Sequence, residues 1–204
     1  MTLLVVRHAE TEWNALGKLQ GRLDSPLTER GRTQARRQGH LLRTLLPPGV
    51  PVRCCCSPLG RALATTQIFA ECLGLSADCF DVDSALSELD YGDWSGLTLE
   101  EVERRFPGEL AVRKATHWRY RVPGGESDAD AAERARRWLD TLRRGRFTVV
   151  VTHEMMSRCL QREVLGWDEV TALAQKHPHD TVVELANGQR VAHRACPDHD
   201  TDGA

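Results

Sequence analysis

The chain has 204 residues and a mass of 22.8 kDa, the size of one domain built on a single core. Its 41% hydrophobic and 27% charged residues, with a formal net charge of -2, exclude the disordered, fibrous and membrane-spanning classes and argue against a broad nucleic-acid surface. No run approaches the roughly 18 apolar residues of a membrane span, and no leader-like stretch opens the chain, so a cytoplasmic location is expected.

Leu3 to Val6 is the first unbroken apolar run and reads as a buried parallel strand. From Thr28, the residues Gly31, Ala35, Gly39, Leu42 and Leu46 recur at helical spacing. A second strand run, Val50 to Cys56, ends in three consecutive cysteines, which suit small, buried, reduced side chains better than a disulfide framework. Pro58 opens another helical pattern through Leu59, Ala62, Leu63, Thr66, Phe69 and Leu73.

Thr98 with Glu101 forms a capping box, and Ser127 with Asp130 repeats it before a helix expected over Ala131 to Arg144. Phe147 to Val151 is the third strand run, followed by a helix from Met155 to Leu165 that Gly166 stops. Thr181 to Ala186 and Gln189 to His193 flank Asn187 and Gly188, a pair that favours a tight hairpin turn. Strands alternating with helices predict a three-layer α/β/α sandwich with a mostly parallel central sheet. Residues 91–125, rich in aromatic residues, Pro and Gly, fit the alternation poorly and read as a lid inserted in a single domain over 1–195. The polar residues 196–204 read as a frayed tail.

Ligands of open α/β sheets bind outside the carboxyl ends of the strands. The first run ends in Arg7 and His8, the second in Ser57 with Arg61 four residues on, and the third in Thr152 and His153. Two imidazoles and two guanidiniums at neighbouring strand ends suit a tetrahedral oxyanion, since guanidiniums donate paired hydrogen bonds and imidazole is a nucleophile at neutral pH. The Ser57-Pro58 junction would add the free N–H groups of a helix start. Taken one at a time, each His or Arg reads as a structural residue or a surface ion-pair partner. Three strand ends carrying the same chemistry weaken that bland reading. Walker-type glycine loops, Cys-x-x-Cys pairs and helical two-histidine zinc motifs are absent from the sequence, which favours a metal-independent phosphoryl site with no cofactor.

These residues carry a resemblance. The run Leu3-Leu4-Val5-Val6-Arg7-His8-Ala9-Glu10-Thr11-Glu12-Trp13-Asn14 resembles the signature of the histidine phosphatase superfamily, in its phosphoglycerate mutase-like branch. Leu27-Thr28-Glu29-Arg30-Gly31, Ser57-Pro58-Leu59-Gly60-Arg61-Ala62, Glu88-Leu89-Asp90-Tyr91-Gly92-Asp93-Trp94-Ser95-Gly96, Gly124-Gly125-Glu126-Ser127 and Val151-Thr152-His153 follow in the same order. The resemblance implies His8 as nucleophile, Arg7, Arg61 and His153 as holders of the phosphoryl oxygens, Asn14 as a further donor, and Glu88 as proton donor to the leaving oxygen. It places Thr11, Gln20 and Gly21 on the substrate side. Ala9 and Glu154 depart from the commoner glycines, and Glu154 is expected to point outward from the first turn of its helix.

The short stretch from Glu88 to Gly124 is similar to the phosphatase members, so hydrolysis of a small phosphorylated metabolite is expected, with a mutase as the alternative. Arg113, Lys114, His117, Arg119 and Arg121, interleaved with Trp118 and Tyr120, admit two readings. They could clamp a substrate with extra negative charge or a flat ring, or form a solvated helix face whose aromatic residues pack inward. A third function class is an inactive domain that binds phosphorylated protein or single-stranded RNA, which the intact set of His8, Arg7, Arg61, Glu88 and His153 argues against. His40, His177 and His179 match nothing catalytic, and a metal at His193, Cys196 and His199 is disfavoured. Oligomeric state is not legible.

Overall fold

In the computed structural model, which describes residues 2–142 and 147–195, six strands form one sheet in the order β3-β2-β4-β1-β5-β6. These are β1 (Thr2–Arg7), β2 (Val52–Cys56), β3 (Phe80–Val82), β4 (Phe147–Thr152), β5 (Thr181–Ala186) and β6 (Gln189–Arg194). β1 and β2 both pair in parallel with β4, and β3 pairs in parallel with β2. β5 joins β1 antiparallel and carries the edge hairpin with β6, whose turn residues Asn187 and Gly188 have φ of 52 and 73.

The helices are α1 (Glu12–Ala15), α2 (Glu29–Leu45), α3 (Gly60–Leu73), α4 (Leu99–Arg105), α5 (Glu109–Thr116), α6 (Asp128–Asp140), α7 (Glu154–Leu165) and α8 (Glu169–Ala174). The central strands are apolar without alternation because both sheet faces are covered. Leu3, Val5 and Val150 join the core of α6 and α7, whereas Leu4, Val6, Val149 and Val151 join the core of α2 and α3. This is the expected three-layer α/β/α sandwich. Residues 91–125 hold α4 and α5, and their Trp94, Trp118 and Val122 pack into the α6–α7 core.

Both capping boxes read from the sequence are built, and α2 carries a side-chain cap as well. Thr28 caps α2 through the amide of Gly31, and Thr98 and Ser127 form reciprocal boxes with Glu101 and Asp130. The strand expected over Val50 to Cys56 starts at Val52, after Pro51. The helix expected to reach Arg144 ends at Asp140, with Thr141 as its cap; Arg143 and Arg144 lie outside the described residues, as do Cys196 and His199. β3 was not expected, because only its Phe80 is buried and three residues leave no periodic trace. Among the described residues no helix is long and apolar enough to cross a membrane.

The sheet order sets the site. β2, β4 and β1 are consecutive neighbours, so Ser57, His153 and His8 leave adjacent strand ends at one rim. Gly31 lets α2 press against the loop that carries the β1 end, since a Cβ there would lie 2.1 Å from the carbonyl oxygen of Glu10.

Candidate active site

His8 is buried, and its Nδ1 lies 2.7 Å from the carbonyl oxygen of Ala9. A carbonyl only accepts, so Nδ1 carries the proton and Nε2 keeps its lone pair. The Nε–H of Arg61 donates to that Nε2 at 3.3 Å, which agrees with the same tautomer. Burial, reinforced by His153, Arg61, Arg7 and His179, pushes the His8 imidazole well below its usual range and keeps it neutral. Ala9 needs no positive φ: it sits fully buried, and its amide donates to Thr65 Oγ1 at 3.1 Å.

Arg61 is held by four acceptors. Besides His8 it donates to the carbonyl oxygens of Leu23 (2.7 Å) and Gly21 (2.8 Å) and to Asp24 Oδ1 (2.8 Å). The same Asp24 accepts from the backbone amides of Gly60 (2.7 Å) and Arg61 (3.2 Å) at the start of α3. This corrects the expectation for the Ser57-Pro58 junction: the helix start is already capped by a carboxylate rather than open to substrate. Ser57 instead pairs through Oγ with His153 Nε2 at 2.7 Å.

Glu154 is a second correction. It occupies the first turn of α7 as expected, but its side chain lines the cavity over His8 instead of pointing away. Its carboxylate pairs with Arg7 Nη1 at 2.8 Å and with Arg158 Nη2 at 2.6 Å. The two cations attract the carboxylate more than the helix dipole alone directs it. Arg7 Nη1 also donates to the carbonyl oxygen of His177 at 2.9 Å. Its buried Nε has no protein partner, and neither has Nδ1 of His153.

Glu88 lines the same cavity, with both oxygens against backbone amides. Oε1 accepts from Leu89 (2.9 Å) and Met156 (3.2 Å), and Oε2 from Met155 (3.3 Å). The last two amides belong to the first turn of α7, so the start of that helix holds the carboxylate in place.

Asn14, Gln20 and Gly21 also line the cavity, which measures about 530 Å³. Asn14 Oδ1 accepts from the amide and hydroxyl of Thr11, which leaves its Nδ2 donors for a ligand. Gly21 has φ +54, and a Cβ there would lie 2.8 Å from the amide nitrogen of Tyr91. Thr11 and His153 stand behind the wall: both are fully buried and outside the lining. The Thr11 hydroxyl accepts from Gln20 Nε2 at 2.8 Å, and the His153 ring centroid is 5.1 Å from that of His8.

Of the basic stretch, Arg113, Lys114 and His117 line the cavity, whereas Arg121 pairs with Asp130 at 2.7 Å and Arg119 is exposed outside the lining. Trp118 and Tyr120 pack inward, Tyr120 against Trp94 at 5.5 Å, as the second reading of the stretch expects. The sequence missed Lys18, Tyr91 and Arg158 as lining residues. The four-residue spacing of Glu154 and Arg158 on one helix face was the available signal for the last. Among the described residues, no group of three or more His, Cys, Asp or Glu is placed to hold a metal; His193 bonds Glu184 at 2.7 Å.

A sheet whose carboxyl rim sets a neutral imidazole among buried guanidiniums defines a class of histidine-based phosphoryl-transfer proteins. The chain belongs to the histidine phosphatase superfamily (branch 1), whose profile matches residues 3–195. It is thereby a phosphoric monoester hydrolase by class. It is 34% identical over 169 residues to phosphoserine phosphatase 1 of Hydrogenobacter thermophilus, covering 81% of this chain and 77% of that one. A 2,3-bisphosphoglycerate-dependent phosphoglycerate mutase of Azorhizobium caulinodans is 32% identical, with 94% and 91% covered. The chain spans only 33% of the length of a 6-phosphofructo-2-kinase/fructose-2,6-bisphosphatase of Caenorhabditis elegans, at 35% identity over 78% of this chain. Among solved structures, a mycobacterial glucosyl-3-phosphoglycerate phosphatase in complex with VO3 superposes with a TM-score of 0.78 at 29% identity, covering 91% of this chain and 90% of that one.

Proposed function

We propose that this chain hydrolyses phosphomonoesters of small metabolites through a phosphohistidine at His8, with no metal taking part. The observation that carries the reading is the tautomer of His8: Nδ1–H is bound to the Ala9 carbonyl at 2.7 Å, and Nε2 is left as a neutral nucleophile. The unpartnered Nε of Arg7 is a buried group that a phosphoryl oxygen would satisfy, Asn14 Nδ2 is a further donor, and His153 supports the site from behind the His8 ring.

Nε2 attacks phosphorus as the P–O ester bond breaks, and the departing oxygen takes a proton from Glu88. The Ala9 carbonyl keeps the imidazolium proton of the intermediate, and Arg61 and Arg7 offset the charge on the oxygens. Water then attacks phosphorus and passes its proton to Glu88, and the N–P bond breaks to release phosphate and neutral His8. Thr11 and Gln20 act by positioning Asn14 and the loop after β1.

The test is phosphate release from a panel of phosphomonoesters in EDTA, with 2- and 3-phosphoglycerate interconversion assayed on the same samples. Release that persists in EDTA and is lost in His8→Ala supports the reading. Release that needs added metal overturns it, and isomer exchange with little release selects the mutase.

A further inference from the structure

The Gly124-Gly125-Glu126-Ser127 motif has no part in the chemistry described so far, since none of its residues lines the cavity. Its Glu126 is nonetheless tied to the segment that carries Glu88. The Glu126 amide donates to the carbonyl oxygen of Asp90 at 2.9 Å, and Glu126 Oε2 accepts from the Asp90 amide at 3.1 Å. The same Oε2 accepts from Arg134 Nη2 on α6 at 2.9 Å, and Oε1 accepts from Arg22 Nη2 at 3.2 Å. Burial pushes the Glu126 carboxyl up, but Arg134, the Asp90 amide and Arg22 outweigh it and hold the carboxyl below its usual range.

Arg134 turns this anchor into a clamp on the acid. Its Nη1 donates to the carbonyl oxygens of Ala85 and Ser87 at 2.8 Å each, and its Nη2 donates to that of Glu88 at 3.4 Å. The Leu86 carbonyl accepts from the Thr152 hydroxyl at the end of β4, at 2.7 Å. Four consecutive carbonyls, ending at Glu88 itself, are therefore held by side chains. A turn fixed in this way takes its shape from the guanidinium, whose planar fork sets several acceptors at once. Glu88 is thus gripped from two helices: α6 holds its main chain, and the Met155 and Met156 amides of α7 hold its carboxylate.

We infer that Arg134 and Glu126 are positioning residues, which fix the turn over residues 85–88 so that the Glu88 carboxyl stands against the leaving oxygen. Neither lines the cavity, so both act through Glu88 rather than on the substrate. A general acid must lie within hydrogen-bond reach of the atom it serves, and a misplacement of about 1 Å costs on the order of a hundredfold. An ion pair that only adds stability would slow all esters alike. A clamp on the acid slows those whose leaving oxygen needs a proton. The inference rests on the phosphatase reading above, and its test has one readout that needs no turnover.

The comparison is kcat/KM for an alkyl phosphate and a nitrophenyl phosphate, with Arg134 replaced in the wild type and in Glu88→Gln, and thermal unfolding run on each protein. Arg134→Met should lose about ten- to a hundredfold on the alkyl ester and less than about threefold on the aryl ester. In Glu88→Gln the same replacement should cost less than about threefold on either ester, because no acid is left to misplace. Arg134→Lys keeps the charge toward Glu126 but cannot span the three carbonyls, so it should show the same split with a smaller loss, even where the Met variant fails to fold. Hydrogen exchange reads the clamp directly. The Met155 and Met156 amides should exchange about tenfold faster in the Arg134 variants, the weight of one hydrogen bond, with the β1 and β4 amides unchanged. Equal losses on both esters, a full further loss in Glu88→Gln, or unchanged exchange at Met155 and Met156 would overturn the clamp. Wild-type protein that releases phosphate from neither ester would instead remove the phosphatase reading, and the exchange rates would then decide the clamp alone.

Discussion

Replacing Glu88 with Gln separates proton donation from everything else that side chain does. Glu88 accepts three backbone hydrogen bonds, from Leu89, Met155 and Met156. A Gln of the same shape keeps Oε1 for the Leu89 and Met156 amides and sets an NH2 donor against the Met155 amide. One hydrogen bond is lost, so stability should fall by only about 1 kcal/mol, and the fold survives. A general acid contributes about 10²- to 10⁴-fold, roughly 3 to 5 kcal/mol of barrier, when the leaving oxygen needs a proton. The assay is kcat/KM for an alkyl phosphate and for a nitrophenyl phosphate, whose phenolate departs unprotonated. Glu88→Gln should lose that factor on the alkyl ester and stay within about threefold on the aryl ester. Equal losses on both esters would remove Glu88 as the acid.

Three further outcomes follow from the packing and charge of the site. Glu154→Gln removes one negative charge from the cavity lining beside Arg7, a repulsion worth about 1 to 3 kcal/mol at the edge of the protein, so inhibition by inorganic phosphate should tighten roughly tenfold or more. An unchanged or weaker inhibition constant would show that the carboxylate does not compete for Arg7. Gly31→Ala places a Cβ 2.1 Å from the Glu10 carbonyl, so the urea midpoint should drop by the equivalent of about 1 to 3 kcal/mol and activity should fall with the displaced loop; wild-type values for both would refute the close approach. Burial lowers His177 and His179 from 6.5 to about 3, so the folded state binds fewer protons than the unfolded chain between those values. Their contribution is complete above the unfolded pKa and fades as pH falls toward the folded one, about 2 kcal/mol each at about pH 5. Melting curves from neutral pH to about pH 5 should show the loss, which should shrink in His177→Gln and in His179→Gln while the buried His8 and His153, lowered in the same direction, keep their share.

The parts of the fold that were legible are those whose signal is local. Three apolar runs marked the parallel strands because a strand covered on both faces shows no alternation, and Asn187-Gly188 marked the hairpin through its positive φ. β3 left no trace because it buries one side chain and owes its place to pairing with Cys54, Cys55 and Cys56. At the site, His8, Arg61 and His153 were readable from strand ends alone, whereas Glu88 was reachable only through family resemblance. Its partners are amides of α7, far along the chain, and no spacing rule joins them. Asp24 and Glu154 were misjudged or unseen for one reason: local helix rules place a carboxylate near a helix start, but buried guanidiniums decide which way it turns. The cationic wall on α5 was visible as charge, and only the packing of Tyr91 and Trp94 showed which of its members face the cavity.

The central claim is the covalent intermediate on His8. Rapid mixing with a phosphorus-labelled ester that the wild type turns over, quenched in alkali where phosphohistidine survives, should place label on the peptide containing His8, at Nε2, within the first turnover. The label should be acid-labile and absent from His8→Ala. A burst of product with no labelled protein, or label on Ser57 or a cysteine, would contradict the account.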